Sequence, residues 1–275
     1  MEDHHRDANR AAWNERAPIH AASDFYDIPG FLAGACTLRD FEPGEMGEVA
    51  GCDLVHLQCH IGPDTLSWAR RGARVVGLDF SPPAIEVARS IAAKAGIEAT
   101  FEVGDVLEAS TILDRRFDIV YTGIGALCWI DDLRRWAGQI GELLVPGGRL
   151  YLVEIHPITD VFDKDGLTVE HHYFDHGVPS RDETPGTYAD EGADTRYNLT
   201  YQWTHTLDAV LSSLLGAGLT IESFSEHDGT VFRQFGNLES DPTDRTFRFP
   251  PGHPRLPLMY SLRAVKSESR VPDGT

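Results

Sequence analysis

No apolar run in this 275-residue chain approaches the roughly 20 residues that a membrane-crossing helix needs, so no membrane partner is expected. The opening residues, MEDHHRDANR, are polar and partly acidic, unlike a secretory signal. Cysteine is scarce. Cys36, Cys52, Cys59 and Cys128 lie apart, without C-x-x-C spacing or the density of a disulfide scaffold, which points to a reduced, cytoplasmic setting. Basic residues are also few: 24 Lys and Arg stand against 43 Asp and Glu, and the formal net charge is −19. A surface so negative, with no local cluster of Lys and Arg, repels a phosphate backbone and excludes nucleic-acid partners. The charge serves solubility. The spacing of His and Asp matches no recognised metal motif, so no metal is expected.

What is present is the composition of a globular protein: 41% hydrophobic and 24% charged residues. Residues 53 to 155 alternate strand-like and helix-like runs, the pattern of a parallel sheet with helices on both faces. The first strand is Asp53–Cys59, followed by a helix from Pro63 to Arg71 that stops at Gly72. Ala73–Asp79 is the second strand. Ser81-Pro82-Pro83 opens a helix, with Ser as N-cap and Pro in the first turn. Ala84, Ile85, Ala88, Ile91, Ala92 and Ala95 recur along it at helical spacing until Gly96. Ala99–Val103 and Phe117–Thr122 read as strands three and four. Asp131 is expected to cap a helix burying Leu133, Trp136, Ala137, Ile140 and Leu144, and the turn Pro146-Gly147-Gly148 leads into strand five, Arg149–Ile155.

The rhythm then breaks. Residues 157–203 are rich in Asp, His, Tyr, Pro and Gly, and so long an aperiodic stretch is usually functional. Thr206 caps a further helix carrying Leu207, Val210, Leu211 and Leu214. Leu219–Glu226 and Pro257–Val265 read as closing strands around a second, aperiodic insert, 228–256. The division expected is a helical cap segment (1–50, with one amphipathic helix from about Asp7 to His20), a core (51–156), an insert or lid (157–203), a closing unit (204–266) and a polar tail (267–275) expected to fray.

The first strand's turn, Leu57-Gln58-Cys59-His60-Ile61-Gly62, leads to a helix N-terminus, where free N–H groups favour an accepting ligand. It lacks the G-x-G-x-x-G of dinucleotide sites: Gln58 and His60 stand where two glycines would let a pyrophosphate approach. Asp79, followed by Phe80, ends the second strand, where a carboxylate reaches ribose hydroxyls. Gly104-Asp105-Val106 follows the third strand, where an acid can accept from an adenine amine. Two acids after consecutive strands, beside a glycine-bearing turn, describe an adenosine site without a diphosphate.

The series VHLQCHIG, VVGLDFS, EVGDV, FDIVYT and LLVPGGRLYLVE, in this order and spacing, resembles the class I (Rossmann-like) SAM-dependent methyltransferases, bacterial small-molecule type. The family's first motif is usually acidic and glycine-rich; His56, Gln58 and His60 depart from it and resemble a bacterial subset with LQCHxG here. The resemblance implies an α/β fold: a seven-stranded sheet with the last strand antiparallel, helices on both faces, and the N-terminal helix with two inserts as a cap. It implies S-adenosyl-L-methionine (SAM) as cofactor, held by Trp13, Arg16, Gln58, His60, Gly62, Asp79, Phe80, Gly104, Asp105, Val106, Gly123 and Trp129. Arg16 would pair with the SAM carboxylate and Trp129 would stack on the adenine. His56 reads as a satisfied core histidine.

His156, directly after strand five, is the first candidate to deprotonate an acceptor, with His172, His205 and Tyr173 as further candidates and His171 beside them. The expected reaction is methyl transfer to an O, N or C atom of a small molecule, with a homodimer as the candidate assembly. Two alternatives remain: a non-methylating reaction such as cyclisation, and a non-catalytic SAM-binding regulator.

Overall fold

The computed structural model describes residues 3–165, 168–174, 177–241 and 243–267. Its frame is a seven-stranded sheet of β1 (Asp53–Leu57), β2 (Arg74–Asp79), β3 (Thr100–Val103), β4 (Phe117–Thr122), β5 (Leu144–Ile155), β6 (Leu219–His227) and β7 (Met259–Lys266), in the spatial order β3-β2-β1-β4-β5-β7-β6. β1 to β5 pair in parallel, whereas β7 runs antiparallel to both β5 and β6. Apolar side chains leave both faces of the central strands. Leu54, Val75, Ile119 and Tyr121 enter one core cluster, and Val55, Leu57, Val76, Leu78 and Val120 enter another. A strand covered on both sides therefore reads as a continuous apolar run.

Eight helices lie among the described residues: α1 (Asp3–Ala22), α2 (Ile28–Leu32), α3 (Glu42–Met46), α4 (Pro63–Arg70), α5 (Pro82–Ala95), α6 (Ala109–Leu113), α7 (Leu133–Leu143) and α8 (Leu207–Gly216). Helix α7 buries Leu133, Trp136, Ala137, Ile140 and Leu143 against the sheet and α8. Each large side chain so buried contributes about 1.5–3 kcal/mol. Helix α5 starts as its sequence dictates: the Ser81 hydroxyl accepts from the Ala84 N–H at 3.3 Å, and Gly96 (φ +65°) closes it.

Three local readings need correction. Asp132, not Asp131, caps α7, because its carboxylate reaches the Arg135 N–H at 2.9 Å, the third residue of the helix; Asp131 turns to Arg6 instead, at 3.4 Å. The segment Pro146-Gly147-Gly148 lies within β5 as a bulge, since Leu144 already pairs with Phe117 before the register resumes at Ile119 and Arg149. The second insert is not aperiodic: Gly229–Thr230, Glu239–Asp241 and Thr246–Arg248 form a small antiparallel sheet. The first insert contains a hairpin of Ser180–Asp182 and Thr200–Gln202, tied to α1 by two bonds of 2.8 Å between the Asn9 amide and the Tyr201 backbone. Most of the tail 267–275 lies outside the described residues.

Candidate functional site

Parallel strands leave their carboxyl ends along one edge, and loops leaving in opposite directions open a crevice there. A cavity of about 1760 Å³ occupies this edge, floored by the turns after β1 to β5 and roofed by α1 and both inserts. A single small-molecule site takes roughly 300–1,000 Å³, so this one has room for two ligands.

The β1 turn is sharp because Gln58 (φ +57°) and His60 (φ +50°) both adopt the left-handed conformation. Such backbone costs ~1–3 kcal/mol per residue and persists only where surroundings enforce it. Here the Asp79 carboxylate does so. One of its oxygens accepts from the His60 N–H and the other from the Ser81 N–H, both at 2.9 Å. Burial raises Asp79 to about 6, although both amides pull it down. Thus Asp79 fastens the turn to the start of α5 while facing the cavity.

Gln58 donates its amide to the Ala126 carbonyl at 2.9 Å, and its Oε1 is buried without a partner. His60 Nε2 lies 2.8 Å from Nδ1 of His20, a residue of α1. Burial, reinforced for His20 by Arg16 and for His60 by His20, keeps both imidazoles neutral: His20 falls to about 3 and His60 well below its ordinary value. Trp13 meets Trp129 edge-on with ring centroids 5.2 Å apart, and meets His60 at 5.1 Å. Asp105 accepts from the Leu107 N–H at 2.9 Å and pairs with Arg6 at 3.4 Å. Arg16 lines the cavity half-buried and, among the described residues, forms no ion pair with a carboxylate.

The cavity brings together Trp13, Arg16, Gln58, His60, Asp79, Phe80, Gly104, Asp105, Val106, Gly123 and Trp129, together with His171, His172 and His205. His205 Nε2 donates to the Ile130 carbonyl at 2.8 Å, which makes Nδ1 its basic nitrogen. Three expected residues lie elsewhere. Gly62 does not line the cavity: it caps α4 at φ +87°, where an added Cβ would meet Ala88 at 2.9 Å and the Phe101 ring at 3.0 Å. Tyr173 lies outside because its hydroxyl accepts from the Leu207 N–H at the start of α8. His156 points away from the cavity: its Nδ1 accepts from the Ile158 N–H at 3.1 Å and its Nε2 faces Glu226 at 3.2 Å. His56 is buried, with Nδ1 2.7 Å from the Thr65 hydroxyl, though it also touches the cavity.

Two features have weak sequence signals. The Glu154 carboxylate accepts from the N–H groups of Gly125 (2.6 Å), Ala126 and Leu127 (2.8 Å each) and Ile155 (2.7 Å), and so shapes the loop after β4. Burial nevertheless raises it to about 7. Tyr26, after α1, and Tyr188, from the first insert, join hydroxyl to hydroxyl across the roof, beside Phe25 and Phe232. Among the described residues no group of three His, Cys, Asp or Glu side chains is arranged to hold a metal ion, and no helix is long and apolar enough to cross a membrane.

Sheet order, antiparallel closing strand and crevice define a Rossmann-like α/β domain with a ligand-sized cavity at its carboxyl edge. Residues 55–148 match the family model described as a methyltransferase domain. Over 86 residues the chain is 38% identical to a demethylmenaquinone methyltransferase of Thermus thermophilus, covering 31% of this chain and 38% of that one. Over 146 residues it is 28% identical to a ubiquinone biosynthesis O-methyltransferase of Methylobacterium, covering 52% of this chain and 58% of the other. The chain thus spans less than two thirds of the curated relatives it matches. The fold is shared with SAM-dependent methyltransferases from Clostridium acetobutylicum (TM-score 0.56, 11% identity, 92% of this chain and 96% of that one) and Mesorhizobium loti (0.53, 20%, 85% and 99%).

Proposed function

We propose that the chain binds SAM in this cavity and transfers its methyl group to an oxygen of a small organic acceptor. The observation that carries the reading is Asp79: a buried carboxylate, fixed by two backbone amides at the end of β2, opening on the cavity where a ribose would present its hydroxyls. The other residues fit the group. Asp105, Val106 and Trp129 suit an adenine. The unpartnered Oε1 of Gln58 suits an ammonium donor, and the half-buried guanidinium of Arg16 suits a carboxylate.

When bound, SAM supplies an electrophilic methyl on a sulfonium. The protein's own part is alignment and exclusion of water, which can account for several kcal/mol of the barrier (up to ~7–11 in well-oriented systems). The enclosing roof of α1 and the two inserts favours a small acceptor over a macromolecule, and the net charge of −19 disfavours nucleic acid. The names of the ubiquinone-biosynthesis relatives support oxygen as the accepting atom. Incubation with SAM and a panel of phenols, alcohols and amines tests the reading. S-adenosylhomocysteine with a methylated product supports it, whereas methylthioadenosine would indicate cyclisation of SAM instead. Absence of both, with no SAM binding, would refute it.

A further inference from the structure

The one-turn helix Pro157–Val161 leaves β5 directly over the cavity, and His156 holds its start. Besides the Nδ1 cap, the His156 carbonyl accepts from the Thr159 hydroxyl at 2.8 Å. This turn carries Asp160 into the cavity, on the wall that also presents Cys128, His171 and Thr204. Thr204 and His171 are its polar neighbours, and among the described residues it forms no ion pair with lysine or arginine. Four other acids of the cavity are engaged: Asp79 and Glu154 by backbone amides, Asp105 by Arg6, and Glu42 by the Tyr121 hydroxyl and the Arg39 N–H. His20 and His60 bind each other, and protonating either inside this buried pair is costly.

We propose that Asp160 is the catalytic base, taking the proton from the acceptor's hydroxyl as the oxygen is methylated. The inference rests on the methyl-transfer reading above. The acceptor oxygen forms its bond to the methyl carbon while the carbon–sulfur bond breaks, its electron pair staying on sulfur. The hydroxyl proton passes to an Asp160 oxygen, so charge and atoms balance. The Asp160 carboxylate is open to the cavity, yet the protein packed around it raises it to about 6, against the pull of His171 and Thr204. It is therefore ionised at neutral pH and still basic enough to take a proton. The titratable groups facing it are His171 from the first insert and the Cys128 thiol from the loop after β4, which burial keeps protonated and which also feels Glu154. Asp163, Lys164 and His172 line the same cavity. His156 is the positioning residue of the turn.

The test uses catechol as probe acceptor, titrated calorimetrically into the S-adenosylhomocysteine complex of wild type, D160N and H171A between pH 5 and 8. Binding of S-adenosylhomocysteine is measured first and should be equal in wild type and D160N; its absence in wild type would defeat the methyl-transfer reading itself. Catechol affinity of the wild-type complex should fall up to about tenfold from pH 7 to pH 5, and should do so in H171A as well. In D160N it should be weaker and flat with pH, and catechol methylation should fall by roughly 10²–10⁴-fold. Failure of catechol to bind the wild-type complex would overturn the proposal. So would a pH dependence that survives in D160N or vanishes in H171A, or wild-type methylation by D160N.

Discussion

Asp79 fastens the β1 turn to the start of α5, and we propose that the same carboxylate receives the ribose hydroxyls. The backbone amides of His60 and Ser81 hold it in place, leaving further lone pairs for ligand hydroxyls. Asp79→Ala removes a charge-assisted acceptor, ordinarily about 1.5–3 kcal/mol, so SAM affinity measured by calorimetry should drop at least tenfold in a folded protein. The place of Asp79 at the cavity was legible from the sequence because parallel strands end at the carboxyl edge, whereas its bonds to the His60 and Ser81 amides were not. Glu154 also closes a strand, yet its four amide partners come mainly from the loop after β4, a tertiary contact no local pattern encodes. The same limit explains His156. A residue after β5 was expected to face the acceptor, but the chain turns immediately, and the imidazole serves as a cap while Asp160 enters the cavity.

The central strands were readable because they are apolar on both faces and bounded by glycine, proline or a capping side chain, whereas the edge strands β3 and β6 expose most of their length. The capping of α7 is a sharper matter, since Asp131 and Asp132 are neighbours and only geometry distinguishes them. Asp132→Ala should cost about 1 kcal/mol in denaturant unfolding, the usual value of an N-cap, whereas Asp131→Ala should cost much less. The inserts were legible only as long polar segments. Their hairpin and small sheet rest on pairings such as Thr246 with Asp241, and on side-chain ties to α1, all distant from any periodic signal. Because α1 and the first insert meet through Tyr26 and Tyr188, ligand should slow hydrogen exchange in both together. Unchanged exchange in both segments on adding S-adenosylhomocysteine would show a fixed roof.

Across the whole molecule, buried titratable groups squeeze stability from both sides of neutrality. His20 and His56 are lowered to about 3, so their neutral burial contributes less as pH falls below about 6.5 and the unfolded chain takes up protons. Glu42 is raised to about 7, chiefly by burial and then by Asp64, so its ionisation destabilises the fold as pH rises from about 4.5 through 7. Glu42→Gln keeps both hydrogen-bonding positions without the charge. It should match wild type near pH 4.5 and exceed it by roughly 1–3 kcal/mol at pH 8, as a denaturant series at the two pH values would show.

The claim on which these readings depend is that the crevice at the carboxyl edge holds an adenosyl sulfonium rather than a dinucleotide. Gln58 and His60 occupy the pyrophosphate approach, and Asp79 faces a site of the right chemistry. Thermal denaturation of the wild-type protein with SAM, S-adenosylhomocysteine and NAD measures this directly, since a ligand at 100 times its dissociation constant stabilises by about 2.7 kcal/mol. The account predicts a raised melting temperature with SAM and with S-adenosylhomocysteine and none with NAD. A rise with NAD alone would contradict it.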